Sequence, residues 1–230
     1  MPDTELGTVL VTGGASGLGR AVAAAVSKAG GTAVVLDIAE PDGDVEWHQV
    51  DLSDARAAER AVADVAQQHG GIDAVVTAAG IDACGDLADV AAEDWERVIL
   101  VNLIGTAAIV RAALPSLIER HGTVVTVAST LGLRALPAAT AYCASKFGVV
   151  GFTRALASEM AGRIGVTLLL PGGMHTAFFD DRPPQFKPAA DAKLNQPEDV
   201  AEAVLFTLRQ PLGCEVRELL IAPSTETSWP

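Results

Sequence analysis

The sequence predicts a doubly wound α/β fold, a parallel sheet of about seven strands with helices on both faces. Three observations point there. Short β-branched runs alternate with helix-length stretches along the chain. Most of those runs are apolar at nearly every position, as strands are when helices cover both faces. Repeated strand-helix-strand units of this kind join with right-handed crossovers.

The runs that read as strands are residues 8–12, 32–36, 47–50, 74–77, 123–128, 166–170 and 216–222. The last alternates more in polarity, which suits a sheet edge. Helical patterns occupy residues 17–29, 54–69, 92–120, 141–160 and 197–209. In the second helix Ala58, Ala61, Val62 and Val65 recur at three- and four-residue spacing and form one apolar face, while Asp54, preceded by Ser53, supplies a cap. Residues 172–196 break the alternation. Rich in proline and aromatics, without a period and too long for an ordinary connection, they read as a functional loop. No repeat, low-complexity tract or linker divides residues 1–230, so one domain is expected.

A net charge of -13 with no basic cluster argues against DNA or RNA as a partner. Half the residues are apolar, but no apolar run approaches the ~20 residues that cross a bilayer, and the most hydrophobic stretch, residues 98–110, is interrupted by Asn102. A soluble protein without membrane association is expected. Residues 1–6 carry acids where a secretory signal carries bases, which makes the cytoplasm the expected location. Cys84, Cys143 and Cys214 have neither CxxC spacing nor a histidine partner, so free thiols and no metal site are expected.

Immediately after the first strand comes Thr12-Gly13-Gly14-Ala15-Ser16-Gly17-Leu18-Gly19, and a helix begins at once. Residues without Cβ let backbone amides approach a pyrophosphate and aim the positive helix N-terminus at it. Plain tight turns also use glycine, so the second strand matters. Asp37 closes it 18 residues beyond Gly19, near the ~20 expected of the acid that binds a ribose 2′-hydroxyl. A carboxylate there favours NAD and repels the 2′-phosphate of NADP, and neither Ser16 nor Ile38 offers a compensating positive charge. Asp51, followed by Leu52 at the end of the third strand, either touches the adenine or starts a turn.

Tyr142 is the only tyrosine, and Lys146 follows four residues later, which on a helix puts both on one face. A nearby ammonium lowers a phenol pKa from ~10, and a positively charged nicotinamide lowers it further, so the pair can exchange a proton with an alcohol. Ser129 follows the fifth strand, at the carboxyl edge where ligands bind in open α/β sheets. Asn102, in an apolar helix, either bonds to neighbouring backbone or has a role beyond packing.

Together these residues resemble the short-chain dehydrogenase/reductase family, whose fold is a Rossmann-type doubly wound sheet. Its TGxxxGxG turn matches residues 12–19, its YxxxK pair Tyr142 and Lys146, its serine Ser129 and its helix asparagine Asn102. The resemblance implies that Tyr142 moves the proton, Ser129 orients the reacting oxygen, Lys146 also grips the nicotinamide ribose, and Asn102 holds a water relay to Lys146. Pro171, Gly172 and Thr176 match the family's PGxxxT element beside the nicotinamide, whose carboxamide Thr176 would anchor. Two departures stand out. The family's Asn-Asn-Ala-Gly appears as Thr77-Ala78-Ala79-Gly80, where Ala79 and Gly80 can still line the adenosine ribose but side-chain bonds between strands must be replaced. The glycine-rich ending common in acyl-carrier-protein reductases is also missing, and the actual ending is more similar to the branch acting on small 3-hydroxy acids and related alcohols.

The loop offers Met174, Phe178, Phe179 and Phe186 with His175, Arg182 and Lys187 among them, an apolar lid with basic points. Arg182 is either solvated or paired with a substrate carboxylate. The helices at 92–120 and 141–160 are apolar on more than one face, and the family pairs subunits through them, which implies a homotetramer or homodimer. The reading is therefore an oxidoreductase moving hydride between NAD(H) and a small or medium secondary alcohol or carbonyl. The alternatives are an NADP-linked carbonyl reductase and a non-catalytic dinucleotide-binding sensor or scaffold, which needs the glycine turn but not the tyrosine, lysine and serine. A methyltransferase would have no use for Tyr142 and Lys146.

Overall fold

The computed structural model describes residues 6–226. The acids of residues 1–5, on which the expectation of no export signal rests, lie outside them.

Seven parallel strands form one sheet in the order β3-β2-β1-β4-β5-β6-β7. They are β1 (Thr8–Thr12), β2 (Thr32–Asp37), β3 (Glu46–Gln49), β4 (Ala74–Thr77), β5 (Thr123–Val127), β6 (Gly165–Pro171) and β7 (Glu218–Ile221). β7 occupies an edge, as its alternation predicts. Alternate residues of β1 feed two cores. Leu10 points into one with Val34, Leu36 and Ile109, and Val9 and Val11 point into the other with Val35, Val22 and Val204. The helices divide accordingly, α1 (Gly17–Lys28) beside α6 (Pro197–Leu208) on one face and α2 (Ala55–Gln68) beside α4 (Thr106–Arg120) on the other. In α2 the predicted stripe of Ala58, Ala61, Val62 and Val65 is buried, and Asp54 caps the helix by accepting from the amides of Arg56 and Ala57 at 3.0 Å each.

The stretch 92–120 departs from a regular helix. It runs as α3 (Ala92–Ile99), a π-helical turn (Leu100–Gly105) and then α4, with the Thr106 hydroxyl donating to the Asn102 carbonyl at 2.9 Å. Contrary to the sequence expectation, Ala92–Arg120 is long and apolar enough to cross a membrane, with mean hydropathy 1.9 over its most apolar window. Half of that window is buried inside the molecule, so much of its apolar surface serves the core. Asn102 survives in it because its amide is fully engaged by the protein, as described below.

The strand order reverses between β1 and β4, and the crevice beyond their carboxyl ends is where such folds bind ligands. The unusual Thr77-Ala78-Ala79-Gly80 lies there. Thr12 Oγ1 accepts from the Ala79 amide at 3.2 Å, so one tie between the two strand ends is supplied from β1. Thr77 Oγ1, by contrast, is buried and finds no hydrogen-bond partner among the described residues. An orphaned hydroxyl costs about 1–3 kcal/mol. Thr77→Val, the same shape without the hydroxyl, is therefore expected to stabilise the protein by about 1 kcal/mol, read as a higher urea midpoint at unchanged slope; a lower midpoint contradicts the assignment.

Candidate active site

A cleft of about 650 Å³ runs along the carboxyl ends of the strands, lined by Asp37 and Asp51 on the β2 side and by Ser129, Tyr142 and Lys146 on the β5 side, with Thr176 against Gly17 of the glycine turn between them. Every residue proposed from sequence for the cofactor lines it except Gly19, which lies beneath the turn, and of the proposed catalytic residues only Asn102 is set back from it.

The glycine turn is built for close approach. Gly13 has φ of +72°, and a Cβ there would come 2.7 Å from the Ala79 backbone, while one on Gly19 would come 2.2 Å from the Gly13 carbonyl oxygen. At the start of α1, Ser16 makes no side-chain cap bond and no acid sits in the first turn, so the helix N-terminus faces the cleft without an internal anion. Asp37 Oδ2 accepts from the Ala15 amide at 2.9 Å and Oδ1 from the Ala39 amide at 3.1 Å, which fixes the carboxylate at the rim beside the turn. This cradle fits the pyrophosphate and ribose of a dinucleotide.

At Asp51 the structure adds a residue that sequence reading missed. Asp51 starts a turn, its Oδ1 accepting from the Ser53 amide at 2.9 Å, and Oδ2 pairs with Arg97 Nη2 at 3.0 Å. Burial works to raise its pKa, but the Ser53 and Arg97 bonds outweigh that and hold the carboxyl below the usual range. Arg97, on α3, lines the cleft beside it. Leu52 is buried, its carbonyl against Gly105 of the π turn, where a Cβ would come within 2.7 Å.

On the β5 side, α5 (Thr140–Glu159) carries Tyr142 and Lys146 one turn apart. Lys146 is 4% exposed and donates from Nζ to the Val127 carbonyl, the last of β5, at 2.9 Å; Nζ lies 5.6 Å from the Tyr142 ring centroid. Two residues beyond Val127 stands Ser129, whose Oγ accepts from the Leu131 amide at 3.1 Å and hydrogen-bonds Tyr142. The three residues thus meet. The charge relation expected of them is reversed in the protein by itself. Burial pushes the Tyr142 phenol up to about 12, against a lowering by Ser129, with nearby Asp82 raising it further. Burial also pushes Lys146 down to about 8. Burial lets the amine lose its proton well before the phenol titrates, so in the protein by itself it is no longer a cation that could hold the phenol down, and spacing in sequence carries no information about solvation.

The Asn102 side chain bonds neither to its local backbone nor directly to Lys146. Its Oδ1 accepts from the Ile81 amide and its Nδ2 donates to the Ile81 carbonyl, both at 2.9 Å, and Nδ2 also donates to Ser145 Oγ at 3.0 Å. Between it and Lys146 lies the bare face of Gly80: the point a Cβ would take is 3.5 Å from Lys146 Nζ and 3.7 Å from Asn102 Oδ1.

Over the site the loop leaves β6 at Pro171 and is pinched at its base, where the Asn195 amide donates to the Gly173 carbonyl at 3.0 Å and the His175 amide to the Asn195 carbonyl at 2.9 Å. Thr176 Oγ1 accepts from the Phe178 amide at 3.4 Å and heads a short 3-10 turn. Phe178 stands 5.6 Å from the Tyr142 ring. Arg182 is neither solvated nor free for a substrate, because it is paired with Asp82, which sequence reading passed over. Glu226 was also missed: it reaches the cleft and accepts from the Gly173 amide at 3.1 Å.

A family model described as short chain dehydrogenase matches residues 7–186. The chain belongs to the short chain dehydrogenases. It is 33% identical over 216 residues to the 3-oxoacyl-acyl-carrier-protein reductase of Thermotoga maritima, covering 86% of this chain and 88% of that one. To 2-(S)-hydroxypropyl-CoM dehydrogenase 3 of Xanthobacter autotrophicus it is 31% identical, covering 87% and 88%. An alcohol dehydrogenase from the archaeon Thermococcus sibiricus, solved with 5-hydroxy-NADP, superposes with a TM-score of 0.82 at 26% identity over 93% of this chain and 95% of that one. This protein is thus an oxidoreductase of a family that binds a nicotinamide dinucleotide.

Lys146 makes a pH test available. Its pKa is near 10.5 when unfolded and about 8 when folded, so between those values this amine holds its proton more fully in the unfolded chain and its own contribution to stability rises with pH. The penalty is complete below pH 8 and gone above 10.5, a difference of about 3 kcal/mol. Urea midpoints of the parent are expected to climb from pH 8 to about 9, where the half-buried Cys84 thiol, pushed up to about 12, begins to oppose the rise, and Lys146→Met is expected to remove the climb; a parent-minus-variant difference that stays flat from pH 8 to 10.5 contradicts a buried amine.

Proposed function

We propose that this protein transfers a hydride between NAD(H) and a small or medium secondary alcohol or carbonyl compound, with Tyr142 as its proton-transferring group. The observation that carries the reading is the convergence of Ser129, Tyr142 and Lys146 on the β5 side of a cleft lined on its β2 side by the Asp37 carboxylate. A non-catalytic sensor of the same fold would have no need of that convergence.

Gly13, Ser16, Gly17 and Leu18, over Gly19, would hold the pyrophosphate. Asp37 would take the adenosine ribose hydroxyls, with Asp51, Leu52, Ala79 and Gly80 along the adenosine half and Pro171, Gly172 and Thr176 beside the nicotinamide. When bound, the oxidised nicotinamide supplies a hydride acceptor and a positive charge near the phenol, and the reduced form a hydride donor. Ser129 Oγ orients the reacting oxygen. Tyr142 Oη gives that oxygen its proton in reduction and removes it in oxidation. With a pKa of about 12 the phenol is protonated at neutral pH, the state an acid needs. Lys146 tunes the phenol and binds the nicotinamide ribose, and Asn102 supports the relay from Lys146 to solvent.

Asp37 is the reason for choosing NAD over NADP, since a fixed carboxylate repels a 2′-phosphate. The relatives named above act on unlike substrates, and the reading accordingly stays at the class of secondary alcohols and carbonyls. The catalytic unit is taken as the whole chain, 1–230, with its substrate loop at 172–196. Exposed Leu100, Ile104 and Phe147 on the π turn and α5 support a homotetramer or homodimer through these helices; a one-chain mass in light scattering contradicts that. Free Cys84, Cys143 and Cys214 suit the reducing cytoplasm.

Fluorescence titration with NADH and NADPH, together with a screen of alcohols and ketones, tests the whole reading. NADH is expected to bind at least about tenfold more tightly. Tyr142→Phe is expected to lose about a thousandfold in kcat/KM while its NADH affinity stays within about twofold. Tighter NADPH binding contradicts the role of Asp37, and an active phenylalanine variant contradicts that of Tyr142.

A further inference from the structure

The lid over Tyr142 is tied down by a buried ion pair between residues far apart in the chain. Arg182 Nη2 donates to Asp82 Oδ2 at 2.6 Å, with the two side chains 18% and 5% exposed. On the loop side Arg182 Nη1 donates to the Phe186 carbonyl at 3.4 Å, and its guanidinium carbon lies 4.9 Å from the Phe178 ring centroid and 4.6 Å from that of Phe179. On the sheet side Asp82 follows Ile81, whose backbone is clamped by Asn102, and its carboxylate also accepts from the Ala83 amide at 2.7 Å and from Cys84 Sγ at 3.0 Å. One partner is therefore anchored beside the catalytic residues and the other in the lid.

Two consequences follow from the chemistry. A carboxylate so buried demands a cation, and a guanidinium held beside two aromatic rings meets that demand while carrying an aromatic wall with it. Pairing also cancels the charge. Arg182 lines the cleft, yet a substrate carboxylate arriving there meets a neutral pair and not a free cation. Its Nε is buried without a hydrogen-bond partner among the described residues, so solvent does not reach it either. The loop's other nearby cation, Lys187, donates to the Asp180 carbonyl at 2.5 Å and is exposed.

We propose that Asp82 is a positioning and specificity residue: by pairing with Arg182 it holds Phe178 against Tyr142, with Phe179 packed on Phe178, and cancels the charge that would favour an anionic substrate. The site accordingly takes alcohols or carbonyl compounds that are uncharged near the reacting carbon, which favours the related alcohols over the small 3-hydroxy acids that the chain's ending suggested. This rests on the oxidoreductase reading of the same site.

Asp82→Asn keeps the shape and an acceptor for Arg182 but removes the charge. The test compares kcat/KM for 3-hydroxybutyrate and its methyl ester in the parent and the variant, and separately follows amide hydrogen exchange across residues 177–187, which requires no turnover. The parent is expected to prefer the ester, and the variant to shift the ratio about tenfold or more toward the acid, chiefly through KM. NADH affinity is expected to stay within about twofold, and exchange in the loop to quicken about tenfold. A parent that prefers the acid, or a variant in which both substrates fall alike, overturns the proposal. If the parent turns over neither these nor any other alcohol or ketone, the oxidoreductase reading is what fails. The exchange rates still decide the latch in that case, and loop protection equal to the parent's overturns it.

Discussion

The bond from Lys146 Nζ to the Val127 carbonyl is the contact on which the rest of the site depends. It joins the start of α5 to the end of β5, and since Tyr142 lies one turn before Lys146 and Ser129 two residues after Val127, that single tie sets the relation of all three. Its cost is desolvation. An amine held in the protein interior loses affinity for its proton and a phenol beside it holds its own more firmly, which is the direction both groups take. The arrangement keeps a proton available in a place from which water is largely excluded, where an added charge acts strongly.

The π turn around Asn102 connects this centre to the lid. A widened helical turn redirects the asparagine amide from its own helix to the backbone of Ile81 and the hydroxyl of Ser145, the latter on α5. Ile81 leads directly into Asp82, and Asp82 holds Arg182 in the loop. Helix α5, the switch-point segment and the loop over the cleft are thus linked through contiguous polar contacts, each closed by a named partner.

Much of this was readable from residue types alone. The apolar stripe of α2, the Asp54 cap, the edge position of β7 and the glycine turn each follow from local rules of period, capping and φ, and those rules act within a few residues. The meeting of Ser129 with Tyr142 and Lys146 was also readable, because strand ends and helix starts in this fold share one edge. What escaped depends on distance or environment. Asp82 and Arg182 pair across the fold with no sequence mark beyond their charges. The π turn at Asn102 leaves the apolar pattern intact, so periodicity passes over it. The direction of the Tyr142 shift follows from burial, whereas the sequence shows only that a lysine is near. Thr77 looks like any strand threonine until its hydroxyl is seen to lack a partner.

Because Tyr142 is the only tyrosine in the chain, tyrosinate absorbance followed against pH, with and without NAD, reports on that phenol alone. The account predicts a midpoint near 12 for the protein by itself and a fall of at least about one unit when NAD is added. A midpoint near the ordinary ~10 in both conditions would mean that the phenol is solvated and remote from the coenzyme, and would contradict the account.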